Sequence, residues 1–285
     1  NVWCHCSICI CIHVRNKNHK THIIEMNITE HENSELSVKP FDNQHKRSSS
    51  LHPDLLHPPF SLLLVGPKGS GKGNCTLRLI FGNQKKKGTN SDHHKFYRHH
   101  FDKIYVFSPT WALDPKMRRC QIPTDQIFEE PEMYTEVISE ILEGQVEDIE
   151  EEGKEDADDI LLIFSDLAGH KTFADSKGIM NRLAFNHRHY NVSIIIDTQS
   201  LRQINNAFRN NLSGIILFAG INNRLELKKI YEEYLGSFTR EEATALLNYV
   251  FDSPYDFLFI DFQKTKGRRF YKNFNSLKID GTQLK

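Results

Sequence analysis

Residues 60–72 read FSLLLVGPKGSGK, an apolar run followed by a glycine-rich turn that ends in a lysine. The spacing G-x-x-x-x-G-K from Gly66 to Lys72 is that of a phosphate-binding loop, and the apolar run predicts the buried strand that such a loop leaves. Glycines let the backbone curl so that successive N–H groups face an anion. Lys72 adds a positive charge for the phosphates, and the helix predicted to follow, up to Phe81, adds its dipole.

The predicted loop and the first turn of its helix contain the residues that we expect to bind a nucleotide. One position departs from the motif, because Gly73 stands where a Ser or Thr hydroxyl normally binds Mg²⁺. Thr76 lies almost a turn further along the helix, so we do not expect it to replace that hydroxyl. The expected nucleotide-binding residues are Gly66, Pro67, Lys68, Gly69, Ser70, Gly71, Lys72, Gly73 and Asn74.

Composition and charge restrict the class of protein. Hydrophobic residues make up 39% of the 285 residues, and the net charge is −1, so a nucleic-acid surface would have to be local. No apolar stretch approaches the length of a transmembrane helix, and the first residues lack the flanks of a signal peptide. We therefore expect an intracellular protein that is not secreted and has no membrane partner.

The first 57 residues are predicted to be a disordered or low-complexity segment. The sequence begins with Asn1, and Met26 is the first plausible initiator, so we interpret residues 1–25 as a translation of sequence upstream of the gene. Cysteine is a zinc ligand, but C-x-C spacing without a second pair argues against a zinc site here. The cysteines in question are Cys4, Cys6, Cys9 and Cys11.

Residues 58–280 are predicted to form one α/β domain with the fold of a P-loop NTPase. Continuous apolar strands alternate with helical patterns, which indicates a mostly parallel central sheet flanked by helices on both faces. Mobile insertions are predicted at about 83–100, which is polar, and at about 144–159, where the carboxylate run from Glu147 is typical of a solvated linker. The predicted strands are 60–65, 101–107, 160–164, 192–196, 215–218 and 257–260, and later helices are predicted at 134–149, 176–188, 224–234 and 240–250.

A second motif lies where the apolar strand 160–164 ends in Ser165 and Asp166. Nucleotide hydrolases of this class carry an acid there that binds the metal, and often a second acid that activates water. Ser165 then occupies the metal position without a charge, and Asp166 occupies the base position and is at most a weak metal ligand. Neighbouring side chains of a strand point to opposite faces, so Asp166 replaces the missing acid only if the strand bends. An ordinary acidic strand end is the alternative.

Taken in order, these motifs resemble those of the packaging ATPases of large DNA viruses and of Maverick/Polinton transposons. This group belongs to the FtsK–HerA branch of P-loop ATPases and includes the poxvirus packaging protein. The resemblance covers about residues 58–275. It rests on LVGPKGSGK (64–72), FDKIYVFSPT (101–110), LLIFSD (161–166) and RHYNVSIIIDTQS (188–200), followed by Ile204 and by FRNN (208–211).

The resemblance implies a homo-oligomeric ring, a hexamer, that uses ATP and Mg²⁺ to push double-stranded DNA into a capsid. Capsid or portal proteins would be partners, and the nucleus or a viral assembly site the location. Gln199 matches the family's polar sensor of the γ-phosphate, and Arg209 is the first candidate for an arginine finger, with Arg188 second. With Lys72 and Asp166 they form the expected catalytic set. The alternatives are a satisfied polar residue for Gln199 and a surface salt bridge for each arginine.

Two other functions are compatible with the same loop. Gly73 and Ser165 favour a nucleotide- or DNA-binding remnant of a virus-like transposon that no longer hydrolyses ATP. A small-molecule or nucleoside kinase is less favoured, because it predicts a lid with clustered arginines, whereas this chain has Thr198-Gln199 at a strand end.

Basic residues near the C-terminus are candidates for DNA contacts. Positive charge spread over a pore would hold phosphates without reading sequence, although a solvated basic face explains the pattern equally well. The residues are Lys264, Lys266, Arg268, Arg269 and Lys272, beside the aromatic residues Phe270 and Tyr271.

Overall fold

The computed structural model describes residues 6–15, 21–31, 51–82, 96–97, 100–114, 122–154, 156–166, 170 and 178–280. Most of the predicted insertion at 83–100 lies outside these residues, including its lysines 85–87. The described residues form eleven β-strands, six α-helices and several single turns of 3₁₀-helix.

The strands are β1 (Cys6–Arg15), β2 (Thr21–His31), β3 (Ser61–Val65), β4 (Lys103–Phe107), β5 (Ile127–Phe128), β6 (Ile160–Phe164), β7 (Val192–Thr198), β8 (Gly214–Phe218), β9 (Phe257–Asp261), β10 (Phe270–Lys272) and β11 (Asn275–Asp280). The helices are α1 (Lys72–Phe81), α2 (Tyr134–Glu152), α3 (Ile179–Asn186), α4 (Asn206–Asn210), α5 (Arg224–Glu233) and α6 (Arg240–Val250). The 3₁₀ turns are Trp111–Leu113, Thr124–Gln126, Pro131–Met133, His187–Tyr190, Leu201–Gln203 and Lys266–Arg268.

The chain folds into two compact units. The phosphate-loop unit comprises Val38–Ile215, and the terminal unit comprises Asn1–Ser37 together with Ile216–Lys285. The predicted domain of residues 58–280 therefore spans parts of both units, and its limits stay a prediction.

A parallel sheet forms the centre of the phosphate-loop unit, with the strand order β3-β7-β6-β4-β5. Leu64 is level with Asp197 in the pairing of β3 and β7, and Phe164 is level with Ile196 in the pairing of β6 and β7. Because the strands are parallel, their carboxyl ends meet at one edge. The predicted α/β fold with a mostly parallel sheet is confirmed.

The central strands of this sheet are buried on both faces. Every residue of β3, β6 and β7 is buried, which matches their continuous apolar sequences. Phe107 of β4 stacks against Phe164 of β6, with ring centroids 4.9 Å apart, and Tyr134 meets Phe107 edge-on at 5.2 Å. This packing supports the carboxyl ends of β4 and β6, where the site lies.

Helix α2 extends further than predicted, because it continues through Glu152 where the carboxylate run predicts a linker from Glu147. Its apolar residues Val137, Ile138 and Leu142 are buried, and the helix ends at Gly153, whose φ of 91° suits glycine. The carboxylate run from Glu147 therefore belongs to the solvated face of a helix, a position that suits charged residues as well as a linker does. None of the helices within the described ranges is long and apolar enough to cross a membrane.

The terminal unit has the strand order β1-β2-β11-β10-β9-β8, and its pairings from β1 to β9 are antiparallel. Strands β1 and β2 lie in the segment predicted to be disordered or of low complexity, so the disordered alternative is wrong for Cys6–Arg15 and Thr21–His31. The low-complexity alternative stays a prediction. The physical signal is the alternation in β1, where β-branched residues occupy every second position from Ile8 to Val14.

Candidate nucleotide-binding site

The phosphate loop connects β3 to α1 with the backbone conformation that the glycine spacing predicts. Gly69 and Gly71 have φ angles of 79° and 102°, in the left-handed region that other residues rarely adopt. Gly71 is the N-cap residue of α1, so the helix begins directly after it. The N–H of Gly66 donates to the Thr198 carbonyl over 3.2 Å, which joins the start of the loop to the end of β7.

Lys72 is the first residue of α1, and its side chain folds back over the loop. Its Nζ donates to the carbonyl oxygens of Gly66, at 2.8 Å, and Pro67, at 3.1 Å. The side chain is only 9% exposed. Burial lowers the pKa of Lys72, whereas the negative charges of Asp197 and then Asp166 act in the opposite direction. The ammonium group therefore lies inside the loop, where the charges of both carboxylates act on it.

Hydroxyl groups lie on either side of the altered position Gly73, which is the second residue of α1. The Oγ of Ser70 and the Oγ1 of Thr76 are buried without a hydrogen-bond partner. Buried hydroxyls normally have partners, so these two are available to a ligand or to water. Of the other predicted binding residues, Lys68 is exposed and Asn74 is half-buried.

The ends of β6 and β7 bring together a hydroxyl and a carboxylate. The Oγ of Ser165 donates to Oδ2 of Asp197 over 2.6 Å. Asp197 is 7% exposed. Burial raises the pKa of Asp197, while the hydrogen bond from Ser165, the charge of Lys72 and the N–H of Asp166 lower it.

Asp166 lies just beyond β6, where the chain has turned. Its φ is 58°, a left-handed conformation that Asp adopts more readily than most residues. Its carboxylate is exposed, and Oδ2 accepts a hydrogen bond from Thr110 Oγ1 at 2.9 Å. The bend that Asp166 needs in order to leave the alternation of the strand is therefore present. Its predicted role as a base stays a prediction.

Gln199 follows the last residue of β7 and is exposed at the edge that carries the phosphate loop. The preceding Thr198 is buried, and its hydroxyl donates to Gln203 Oε1 at 2.8 Å. Since the Thr198 carbonyl accepts from Gly66, the strand end that carries Gln199 is joined directly to the loop. The position is suitable for a group that senses a phosphate.

Arg209, predicted as the arginine finger, is not available for that role in this conformation. It is 5% exposed, and its guanidinium donates to the carbonyls of Leu201, at 3.1 Å, and Ile204 and to the side chain of Asn206. A finger has to reach a neighbouring subunit, whereas this group holds together the loop after β7. Arg188, the second candidate, is exposed, with one hydrogen bond of 3.4 Å to Ser213 Oγ.

Replacing Arg209 by Ala is expected to lower the free energy of unfolding by about 2–4 kcal/mol, because buried carbonyl groups lose their donor. Urea denaturation of the full chain measures this change. Arg202→Ala is the matched control, since Arg202 is exposed in the same loop and its replacement should have little effect. Equal stability of the two variants would contradict a structural role for Arg209.

Asp197 is the residue of this site that the sequence analysis did not select. The available signal is an aspartate within the apolar strand sequence VSIIIDT of β7. Burying a carboxylate in such a strand is costly unless it has partners, so its presence indicates hydrogen bonds or a bound cation. The partner Ser165 is 32 residues away in the chain and becomes a neighbour only through the sheet.

The oxygen atoms of this strand edge fit the magnesium ion that the resemblance implies. Carboxylate and hydroxyl oxygens are hard donors, and Mg²⁺ in nucleotide sites uses one or two carboxylates together with water and phosphate oxygens. Asp197, Asp166 and Ser165 supply such atoms. Among the residues that the structure describes, no group of three or more His, Cys, Asp or Glu could hold a metal alone. A site completed by a nucleotide agrees with both observations.

No protein-family model matches the chain, and no curated protein matches its sequence significantly. Solved structures match its fold. The DNA-packaging ATPase B204 from Sulfolobus turreted icosahedral virus is 16% identical, with a TM-score of 0.51 over 78% of this chain and 97% of that chain.

Two structures of the genome packaging NTPase B204 from Sulfolobus turreted icosahedral virus 2 are similar as well. The complex with AMP is 15% identical, with a TM-score of 0.52 over 80% of this chain and 100% of that chain. The complex with AMPPCP is 14% identical, with a TM-score of 0.52 over 79% of this chain and 98% of that chain. The chain therefore has the P-loop NTPase fold of these viral genome-packaging proteins.

Proposed function

We propose that this chain is an ATP-binding ATPase of the viral genome-packaging type, which couples hydrolysis to the movement of double-stranded DNA into a capsid. The observation that carries the proposal is the position of Lys72. Its ammonium group lies within the phosphate loop, under the influence of Asp197 and Asp166, at the carboxyl edge of a parallel sheet. Open α/β sheets bind their ligands at this edge. The fold shared with the B204 packaging proteins supports the same conclusion.

In this proposal the loop amides and Lys72 bind the β- and γ-phosphates of ATP. Carboxylates of the strand edge, among them Asp197, would hold Mg²⁺, which would supply positive charge for the phosphate oxygens. Asp166 accepts the proton of the attacking water, and Gln199 contacts the γ-phosphate. Arg188 is the finger that reaches the nucleotide of a neighbouring subunit, because it is exposed whereas Arg209 is engaged within its own loop.

The remaining partners follow from the packaging type. A homo-oligomeric ring, hexameric by the resemblance, would encircle the DNA and dock on capsid or portal proteins at a viral assembly site or in the nucleus. Three of the five basic residues in the terminal unit make hydrogen bonds within it. Lys264 donates to the hydroxyl of Tyr271, Arg269 to the carbonyl of Lys264, and Lys272 to the carbonyl of Tyr249. Lys266 and Arg268 are exposed in the turn between β9 and β10, so this turn is our candidate for the DNA contact.

ATP binding and Mg²⁺-dependent hydrolysis by the full chain, with and without double-stranded DNA, test the proposal. Light scattering over a range of concentrations measures ring formation. We expect ATP binding, hydrolysis that DNA stimulates, and a concentration-dependent oligomer. A strict monomer that binds no ATP would overturn the proposal.

Replacing both Lys266 and Arg268 by Ala is expected to weaken DNA binding equally for all sequences. The slope of log affinity against log salt should fall by about 2, because two phosphate contacts are lost. The control is the double replacement of Lys228 and Lys229 by Ala, which removes the same charge from α5, where each lysine pairs with a glutamate one turn later. Equal salt slopes for the two double variants would contradict the DNA-contacting turn.

A second candidate function is nucleotide binding without turnover. Gly73 provides no hydroxyl for the metal and Ser165 provides no carboxylate, and the loss of such a contact in a phosphoryl-transfer site costs about 10²- to 10³-fold in rate. This candidate predicts ATP binding without Mg²⁺-dependent hydrolysis under any DNA condition, so the same measurements distinguish the two functions.

A further inference from the structure

The buried carboxylate of Asp197 has neighbours that point to a specific role. Asp197 lies one residue before the end of β7 and pairs with Leu64 of β3. Leu64 in turn lies two residues before the phosphate loop begins at Gly66. Since Phe164 of β6 is level with Ile196, the next residue on each strand brings Ser165 beside Asp197. Asp197 thus occupies the strand edge next to the position where nucleotide hydrolases carry their metal-binding acid.

Hydrogen bonding leaves part of this carboxylate available. Ser165 Oγ donates to it, whereas an ionised carboxylate has about four acceptor positions. A serine hydroxyl that donates to Asp197 still has its own lone pairs, which can accept from a metal-bound water. The pair would therefore supply together what one acid on β6 would supply alone: a negative charge and an oxygen donor for a metal ion or its water.

Pairing with Lys72 does not fully account for Asp197. The hydrogen bonds of Lys72 Nζ go to the carbonyls of Gly66 and Pro67, and Asp197 acts on the lysine only through its charge. A residue whose sole purpose was to neutralise Lys72 would be expected to contact it, because ion pairs gain most from direct hydrogen bonds. The direct donor to Asp197 is instead Ser165 Oγ, at the end of β6.

We propose that Asp197 supplies the carboxylate that holds Mg²⁺ beside the bound nucleotide, with Ser165 as the residue that positions it. The inference rests on the proposed nucleotide-binding function and assigns the metal-binding acid to β7 instead of β6. Asp166 remains the candidate base. The chain thereby retains a charged metal anchor although the expected position on β6 is occupied by serine.

The test is calorimetric binding of ATPγS to the full chain in EDTA and in MgCl₂. In the wild type, Mg²⁺ should strengthen binding. Asp197→Asn keeps the shape and an acceptor for Ser165 but removes the charge, so the variant should lose this strengthening, with Mg²⁺-dependent affinity reduced by about 10- to 100-fold and affinity in EDTA unchanged. Electron paramagnetic resonance with Mn²⁺ as the probe should show the same loss of metal binding in the presence of ATPγS.

Two further variants make the result specific. Ser165→Asp combined with Asp197→Asn moves the acid to β6 and should restore the effect of Mg²⁺. Asp261→Asn is the matched control, because Asp261 is also a buried aspartate at a strand end, 1% exposed, but lies in the terminal unit. It should leave the effect of Mg²⁺ as in the wild type.

The outcomes separate this inference from the proposed function. If the wild type binds ATPγS in neither condition, the proposed function fails and the inference fails with it. If the wild type shows the effect of Mg²⁺ and Asp197→Asn retains it, only the inference is overturned. An equal loss of affinity in EDTA and in MgCl₂ would also overturn it, since Asp197 would then act only as a counter-charge for Lys72.

Discussion

Replacing Lys72 by Met is expected to reduce the rate of ATP hydrolysis by about 10²- to 10³-fold, the usual effect of removing one group that stabilises charge in a transition state. Methionine has a similar length and can occupy the space of the lysine stem, so the fold should persist. The hydrogen bonds that the replacement removes go to the carbonyls of Gly66 and Pro67, so the structural change should be confined to the phosphate loop. Steady-state kinetics and calorimetry of ATP binding measure the effect.

Lys103→Met is the control for this prediction. Lys103 is 41% exposed at the amino end of β4, away from the edge with the loop, and pairs with Asp158. Its replacement should leave hydrolysis at the level of the wild type. If Lys72→Met hydrolyses ATP as fast as Lys103→Met, the phosphate loop is not the catalytic site of this chain.

Gly73 and Ser165 are the two departures from the motif. Reverting each one alone is expected to change the rate of Mg²⁺-dependent hydrolysis in opposite directions. Gly73→Thr restores a hydroxyl at the second position of α1 and should raise Mg²⁺-dependent hydrolysis by about 10- to 100-fold. Ser165→Asp should instead lower it, because the new carboxyl would lie against Asp197, where Ser165 Oγ is now 2.6 Å away. Like charges at such a distance disfavour ionisation and weaken the pair.

Gly73→Ala is the matched control for the first reversion, since it gives the same gain in helix propensity without a hydroxyl. For the second, adding Asp197→Asn to Ser165→Asp should remove the repulsion and recover the lost activity. A gain in hydrolysis from Ser165→Asp alone would contradict the close approach of these two side chains. Each comparison is a rate measurement at saturating ATP and Mg²⁺.

Local patterns predicted the parts of this structure that depend on neighbouring residues in the chain. The strand, loop and helix from Ser61 to Phe81 follow from apolar runs and glycine spacing, which act over a few residues. The position of Gln199 at the end of a strand is likewise predicted by the apolar run that precedes it. These features require no knowledge of which strands are neighbours.

The features that sequence reasoning missed depend on contacts across the fold. Ser165 and Asp197 are 32 residues apart, and only the order of the sheet makes them neighbours. Arg209 has the sequence context of a finger, but its burial follows from how the loop after β7 folds back on itself. The extent of α2 was missed because a carboxylate-rich segment suits a solvated helix face as well as a linker.

The parallel register of β6 and β7 has an evolutionary consequence. Side chains at the ends of adjacent parallel strands face the same ligand, so a charge gained on one strand compensates for a charge lost on the other. Such an exchange needs two substitutions far apart in the gene and leaves the fold intact. A motif defined along a single strand would classify the exchange as loss of the metal-binding acid. In the sheet, the exchange only moves the carboxylate sideways by one strand spacing, about 4.8 Å.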